Sequence, residues 1–347
     1  MVRTVGIEPT LLYRNKILSL ACLPIPPRPH SLILPSVAAR NMAGHPQIGR
    51  VFFNKFTSIL RLSALICSGP LDYRGLLADQ RLMKIATWNI NSIKARMHAL
   101  TAWLKDADPD VVCLQEIKTE NDSFPYMEVE ALGYNVAVHG QKSYHGVAIL
   151  SKTPLEDIVR GLPGEETDTE ARYIEAAVSG TRGPVRVASI YLPNGNPIGD
   201  APDFSDKYKY KLRWMERLRV RAAELLEFEE PLILAGDYNV IPNDHDTHDP
   251  IGWNGDAAFR PETHARWRAL LNSGLTEAFE QMDGRAGQYS FWDYQRGAWQ
   301  NNHGIRIDHL LLSPQAADRI TDFKIDKFVR DGEKPSDHVP VIGTFDL

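Results

Sequence analysis

Carboxylates, amides and one imidazole recur at the ends of apolar runs in this 347-residue chain. Asn89 and Asn91 follow residues 84–88, Glu116 follows 111–114, and Tyr191 and Asn194 follow 185–190. Asp237 and Asn239 follow 232–235, Asp308 lies within 305–312, and Asp337 and His338 lead into 339–345. These residue types suit hydrolysis of a phosphodiester, which needs a hard cation to neutralise developing charge and a group to activate water. Glu116 is the best single cation ligand, with Asn89 and Asp337 as helpers. Asp237 or His338 serves as base or water-orienting acceptor. Asp308 is the natural partner to fix the tautomer of His338. Asn239 and Tyr191 are uncharged donors for a phosphate oxygen or a leaving group.

The elements that must position these groups alternate from residue 83 onward. Short strands are predicted at 84–88, 111–114, 147–150, 185–190, 232–235, 305–312 and 339–345. Ser92 is placed to cap a helix with Ile93, Met97, Leu100 and Leu104 on its apolar face. A long amphipathic helix is predicted over 207–228, and another from Pro261 to Gly274. In an α/β sheet ligands bind at strand ends, so these polar groups are expected to converge on one cleft. No internal linker or repeat interrupts 83–347, which reads as one domain of about 265 residues.

Residues 1–82 differ in character. They carry eight prolines and 10 Lys/Arg against 3 Asp/Glu, while the remainder holds 29 against 41. Three readings compete: an organellar transit peptide, a disordered arm, or a start assigned too early with Met83 as the true first residue. The last is preferred, because Val5-Gly6-Ile7-Glu8-Pro9-Thr10 resembles a stretch often seen in spurious extensions. An acidic body is not the first expectation for a DNA binder. It does not exclude one, because carboxylates gathered around a cation leave basic residues free to occupy another face. The three cysteines (Cys22, Cys67, Cys113) form no CxxC pair, which argues against a disulfide framework or a cysteine zinc site. No apolar run approaches the roughly 20 residues of a membrane span, and no P-loop, HExxH or GxSxG occurs.

Six segments taken in order resemble the exonuclease III and AP endonuclease family. They are Met83-Lys84-Ile85-Ala86-Thr87-Trp88-Asn89-Ile90-Asn91, Leu114-Gln115-Glu116-Ile117-Lys118, Tyr191-Leu192-Pro193-Asn194-Gly195, Gly236-Asp237-Tyr238-Asn239, Gly304-Ile305-Arg306-Ile307-Asp308 and Lys334-Pro335-Ser336-Asp337-His338. One alone is weak; six in register are specific. The resemblance implies a deoxyribonuclease I-like α/β (α+β) fold, a four-layer α/β/β/α sandwich of two mixed sheets flanked by helices. It implies a Mg²⁺-dependent enzyme, with Mn²⁺ able to substitute. The expected activities are incision of duplex DNA 5′ to abasic sites and removal of 3′ nucleotides and 3′ blocking groups. It also implies a monomer acting in the cytoplasm at the nucleoid, organellar only if 1–82 is a genuine transit peptide, with no membrane partner.

Carried over position by position, Glu116 is the principal metal ligand, with Asn89, Asp237, Asn239, Asp337 and His338 at or near the metal. Tyr191, Asp237, Asn239 and the Asp308–His338 pair form the catalytic set. Asn91, Arg172 and Asn194 are expected on the substrate, and Phe291 or Trp292 beside a flipped-out sugar. Two further features remain open or are set aside. The run 207–214 mixes lysines and aromatics, either against a DNA backbone or as an amphipathic helix with Trp214 inward. The cluster Asp244-His245-Asp246-Thr247-His248-Asp249 reads as a solvated surface turn.

Overall fold

The computed structural model describes residues 82–347. The readings of 1–82 thus fall, but for Leu82, outside the described residues. Twelve strands form two six-stranded sheets. In the first sheet the order is β11 (Ile320–Ile325), β12 (Val341–Phe345), β1 (Met83–Asn89), β2 (Val111–Gln115), β4 (Val147–Ser151) and β3 (Asn135–His139). In the second it is β5 (Leu155–Arg160), β6 (Tyr173–Gly180), β7 (Gly183–Tyr191), β8 (Leu232–Asp237), β10 (Asp308–Leu312) and β9 (Thr276–Glu277).

Side chains on a strand point alternately to opposite faces, and here both faces of the central strands are apolar. Ile85, Val111, Cys113 and Ile149 from the first sheet meet Ile174, Val187, Ile233, Ala235, Leu310 and Leu312 from the second in one shared core. Their neighbours Ala86, Trp88, Val112 and Leu114 turn outward onto Leu100, Trp103 and Leu104 of helix α1 (Met97–Ala107). On the other side Ala188, Ile190, Leu234 and Leu311 turn outward onto Trp214, Leu218 and Trp267. Trp214 and Leu218 belong to α2 (Asp206–Leu226) and Trp267 to α3 (Pro261–Leu271). The period-two sidedness of the strands therefore generates the four layers.

Each sheet contains one parallel pair, β1 with β2 and β7 with β8, and each pair is joined by a connection that contains a helix, α1 or α2. The other pairings are antiparallel. Strand polarity decides which end carries chemistry. The parallel strands offer their C-terminal ends at Asn89, Gln115, Tyr191 and Asp237. Antiparallel β10 and β12 reach the same edge with their beginnings, so Asp308 opposes Asp237 and Val341 opposes Thr87. Among the described residues no helix is long and apolar enough to cross a membrane.

Two expectations need correction. Ser92 does not cap a helix; α1 begins five residues later with Arg96 at its N-cap. Residues 90–93 instead run alongside the backbone of 115–117, through Ile90 N–H to Gln115 O (3.0 Å), Ser92 N–H to Glu116 O (2.7 Å) and Ile93 N–H to Ile117 O (3.2 Å). That ladder holds Ser92 in the left-handed region (φ 84°). The acidic cluster 244–249 is also not merely a solvated turn. Asp246 is buried, and its carboxylate takes the Arg306 guanidinium at 2.7 Å. Arg306 also reaches Glu277 (3.0 Å) and Glu280 (2.9 Å) and stacks over the Phe279 ring at 4.2 Å.

Burial alone would raise the Glu277 carboxyl, but Arg306 and His309 beside it outweigh that and hold it down to about 2. The stabilisation is complete above the ordinary glutamate value and is lost as pH falls through the folded one. Arg306→Met should cost about 3–5 kcal/mol, because it leaves buried carboxylates without their cation. Urea unfolding at pH 7 and pH 4 checks this: the variant's deficit should shrink at the lower pH as its orphaned carboxylates protonate. A deficit below about 1 kcal/mol would contradict the assignment.

Candidate active site

The ends of the two sheets meet at Asn89. Its side-chain amide donates 2.9 Å to Glu116 Oε1, on the first sheet, and 2.9 Å to Asp237 Oδ2, on the second. Its carbonyl oxygen accepts the Asn91 backbone N–H at 3.1 Å. As placed, Asn89 faces the carboxylates with its nitrogen, holding both rather than adding a third oxygen.

Glu116 lies just past β2 in the left-handed conformation (φ 49°), as does Asn239 past β8 (φ 48°). For residues with a Cβ this costs of order 1 kcal/mol each and persists only where surrounding contacts impose it. Lys118 lies 2.8 Å from Glu116 Oε2. Burial by itself would raise the Glu116 carboxyl, but the Asn89 amide and the Lys118 ammonium keep it below the usual glutamate range. Glu116 is therefore an anion at neutral pH, and about a fifth of its side chain is open to solvent.

Asp237 ends β8. Gly236 before it has no alternative, since a Cβ there would lie 2.0 Å from the Ile190 carbonyl oxygen of β7. Asp237 is buried and takes the Asn239 backbone N–H on Oδ1 at 3.0 Å. His338 Nε2 lies 3.7 Å from its Oδ2. On the other side of the ring, Nδ1 lies 2.8 Å from Asp308 Oδ2, which also accepts Ser290 Oγ–H at 2.6 Å. Burial pushes the Asp237 carboxyl up to about 7, helped by the Asp308 charge and opposed by His338. His338 moves the other way. Burial disfavours its charge, yet Asp308 and Asp237 outweigh that and raise it to about 10. At neutral pH the imidazole is thus a cation between two carboxylates, and Asp237 is the group poised to exchange a proton.

Tyr191, at the end of β7, has Arg172 stacked over its ring at 4.8 Å. Burial, with Glu116 and Asp237 nearby, raises its phenol well above the ordinary value. It is a proton donor rather than a phenolate. Asn194 Nδ2 donates to Asn239 Oδ1 at 3.1 Å, and Asn239 Nδ2 donates to the Leu192 carbonyl at 2.9 Å. Asn91 Nδ2 donates to Asp337 Oδ1 at 3.0 Å. Ser336 Oγ donates to the Asn89 carbonyl at 2.7 Å and receives the His338 backbone N–H at 3.2 Å.

The residues singled out in sequence therefore gather on one edge, with one correction. Phe291 lies at the site, its ring 4.9 Å from that of His338. Trp292 does not; it is fully buried, packed edge-on against Trp299 and Tyr289, and its indole N–H goes to Asn302. Phe291 is held at the site by isolated bridges to Ile305 and His338, while the next residue, Trp292, packs into the interior. The sequence reading assigned no role to Lys118, Ser290 or Ser336, and it placed Lys211 only within the run 207–214, yet all four support groups it did name. Lys118 and Ser336 fall inside quoted segments, and Lys211 breaks the apolar stripe of α2.

The donor set fits a hard divalent cation. Glu116 and Asp337 offer carboxylate oxygens at the rim, all nearby donors are oxygens or imidazole, and the buried Asp308 Oδ1 has no hydrogen-bond partner among the described residues. Two other groups bring ligating atoms close together among the described residues, Asp237, Asp308 and His338 at the site and His245, Asp246 and Glu280 beside Arg306. In the first of these the imidazole already lies between two carboxylates.

Comparison with known proteins agrees with this geometry. The model of the Endonuclease/Exonuclease/phosphatase family matches residues 86–338. Exodeoxyribonuclease III of Haemophilus influenzae is 35% identical over 272 residues, covering 76% of this chain and 100% of that protein. An AP endonuclease from Archaeoglobus fulgidus superposes with a TM-score of 0.71 at 36% identity, over 76% of this chain and 100% of that one. A 3′ phosphatase from Neisseria, solved with a product DNA hairpin, gives a TM-score of 0.72 at 36% identity with the same coverage. The chain belongs to the endonuclease/exonuclease/phosphatase family.

Proposed function

We propose that this chain is a DNA-repair phosphodiesterase of exonuclease III type, which incises duplex DNA 5′ to abasic sites and trims 3′ nucleotides and 3′ blocking groups. The observation that carries the reading is the unbroken chain of contacts Glu116–Asn89–Asp237–His338–Asp308 across the meeting edges of both sheets. The relatives named exodeoxyribonuclease III and AP endonuclease support it. It acts as a monomer in the cytoplasm, at the nucleoid, with DNA as its partner.

Mg²⁺, or Mn²⁺ in its place, would be held by Glu116 with Asp337 and would supply charge neutralisation at the phosphate and acidification of water. The chain's own residues do the rest. Asp237 accepts the proton of the attacking water, since its carboxyl titrates near neutrality while His338 already carries its proton. The His338 cation, held by Asp308, stabilises negative charge on the phosphoryl oxygens. Asn239, braced by Asn194, donates to one of those oxygens once its amide leaves the Leu192 carbonyl. Tyr191 gives its proton to the departing 3′ oxygen. Asn91 and Arg172 border the backbone path, and Phe291 contributes a wall for the extruded sugar.

Cleavage of a labelled duplex carrying one abasic analogue tests the reading. EDTA should silence the protein, and Mg²⁺ should restore incision 5′ to the lesion. Binding without cleavage in Mg²⁺ would mark a silent DNA-binding module. Cleavage of a phosphoinositide but not of DNA would mark a lipid phosphatase.

Glu116→Ala should lower incision at least about a hundredfold while the circular dichroism spectrum is unchanged. Full activity without it would remove the metal assignment. The Asp308–His338 pair predicts a pH effect. In the parent the imidazole keeps its charge until pH nears 10, so the alkaline limb of kcat lies there. Asp308→Ala removes the main source of that elevation and should bring the limb down by at least about one pH unit. An unmoved limb would show that His338 does not act as a cation.

A further inference from the structure

Lys211 occupies a position that the helical pattern reserves for an apolar residue. The buried stripe of α2 runs Tyr208, Lys211, Trp214, Met215, Leu218, Ala222 and Leu225. Lys211 is fully buried, and its amine ends beneath the site, 2.6 Å from the Asn239 carbonyl oxygen and 3.1 Å from that of Asn194. A lysine whose role was only to fill the helix–sheet interface would direct its amine to solvent, because burying a strongly hydrated group costs several kcal/mol.

The two carbonyls belong to different loops. Asn194 follows β7 and Asn239 follows β8, strands that run parallel and pair Tyr191 with Asp237. Past Leu192 the sheet ladder no longer sets the distance between these loops. Leu192 starts the link, its N–H on the Asp237 carbonyl (2.9 Å) and its own carbonyl under the Asn239 amide (2.9 Å). Farther out the loops are joined by the amide of Asn194 on Asn239 Oδ1 and by the Lys211 amine shared between the main chains. The fit leaves no slack. Gly195 has φ 89°, and a Cβ there would lie 2.7 Å from Lys211 Cδ and 3.3 Å from Lys211 Cβ. The lysine stem thus lies directly against the turn that carries Asn194.

We propose that Lys211 is a positioning residue of the reaction: its amine clamps the carbonyls of Asn194 and Asn239 so that the side-chain amide of Asn239 is presented to the phosphate. This rests on the nuclease reading above. Catalytic groups displaced by about 1 Å lose on the order of a hundredfold in rate, whereas ground-state DNA binding is spread over many contacts. Loss of the clamp should therefore appear in kcat and leave KM nearly unchanged.

The test is a double-mutant cycle on the full chain, with the abasic duplex and Mg²⁺. The parent must first incise; if it does not, the nuclease reading fails and the cycle is not reached. Lys211→Met, similar in volume but without donors, should lower kcat about 10- to 100-fold and change KM less than threefold. In an Asn239→Ala background the same substitution should cost less than about twofold, because a clamp that acts through Asn239 has nothing left to position. Equal losses in both backgrounds, or a kcat within twofold of the parent, would make Lys211 a packing residue and overturn the proposal. If Lys211→Met does not fold, as judged by circular dichroism, Lys211→Leu, also without donors, enters the same cycle and is read by the same two criteria.

Discussion

A buried carboxylate where the ends of the two sheets meet is the constraint on which this structure turns. Asp237 can be there only if donors surround it, because an unpaired buried charge costs several kcal/mol. Its own sheet supplies one, the Asn239 N–H. The other sheet supplies the Asn89 amide and the His338 ring. The apolar faces explain why the sheets stack, but they do not specify which strand ends coincide. The donors of Asp237 do, and they place Glu116 and Asp308 within reach of the same point.

The supporting contacts follow one pattern: each reactive group is held by a residue that has no freedom itself. Ser290 fixes Asp308, Ser336 fixes the turn that carries His338, Asn91 fixes Asp337, and Lys118 fixes Glu116. Left-handed conformations at Asn91, Ser92, Glu116, Lys118 and Asn239 cluster at this same edge. The backbone bends away from the strand direction as soon as each strand has delivered its side chain. The strain is accepted because hydrogen bonds to the neighbouring loop dictate it, as between Ser92 N–H and Glu116 O.

Much of this was legible in the sequence, for identifiable reasons. Strands buried on both faces are continuous apolar runs, so β1, β2, β4, β7, β8 and β12 stood out, and the polar residues at the ends of β1, β2, β7 and β8 and just before β12 marked the site. The strands passed over are those at or near sheet edges. β5 and β11 carry charges on their open faces, and β3 begins with an exposed asparagine. β6 reads Tyr-Ile-Glu-Ala-Ala-Val-Ser-Gly, with a buried glutamate that only its ion pairs with Arg186 and Arg221 explain. Trp292 was ambiguous because an indole suits a ligand wall and a core equally well, and only its place in the layer decides. Ser92 has the composition of a helix cap, but a tertiary ladder with 115–117 overrode the local preference.

The pairing of β1 with β12 joins the first strand of the fold to the last, and His338 stands immediately before that last strand. A chain that has folded β1 through β11 holds Glu116, Tyr191 and Asp237, yet has neither the imidazole nor the strand that closes the centre of the first sheet. Contacts this distant in sequence form slowly. Order of synthesis and topology therefore act together: His338 can join Asp237 and Asp308 only after the whole domain has been made. An unfinished polypeptide emerging from a ribosome carries most of the site's carboxylates but not the imidazole that lies between two of them.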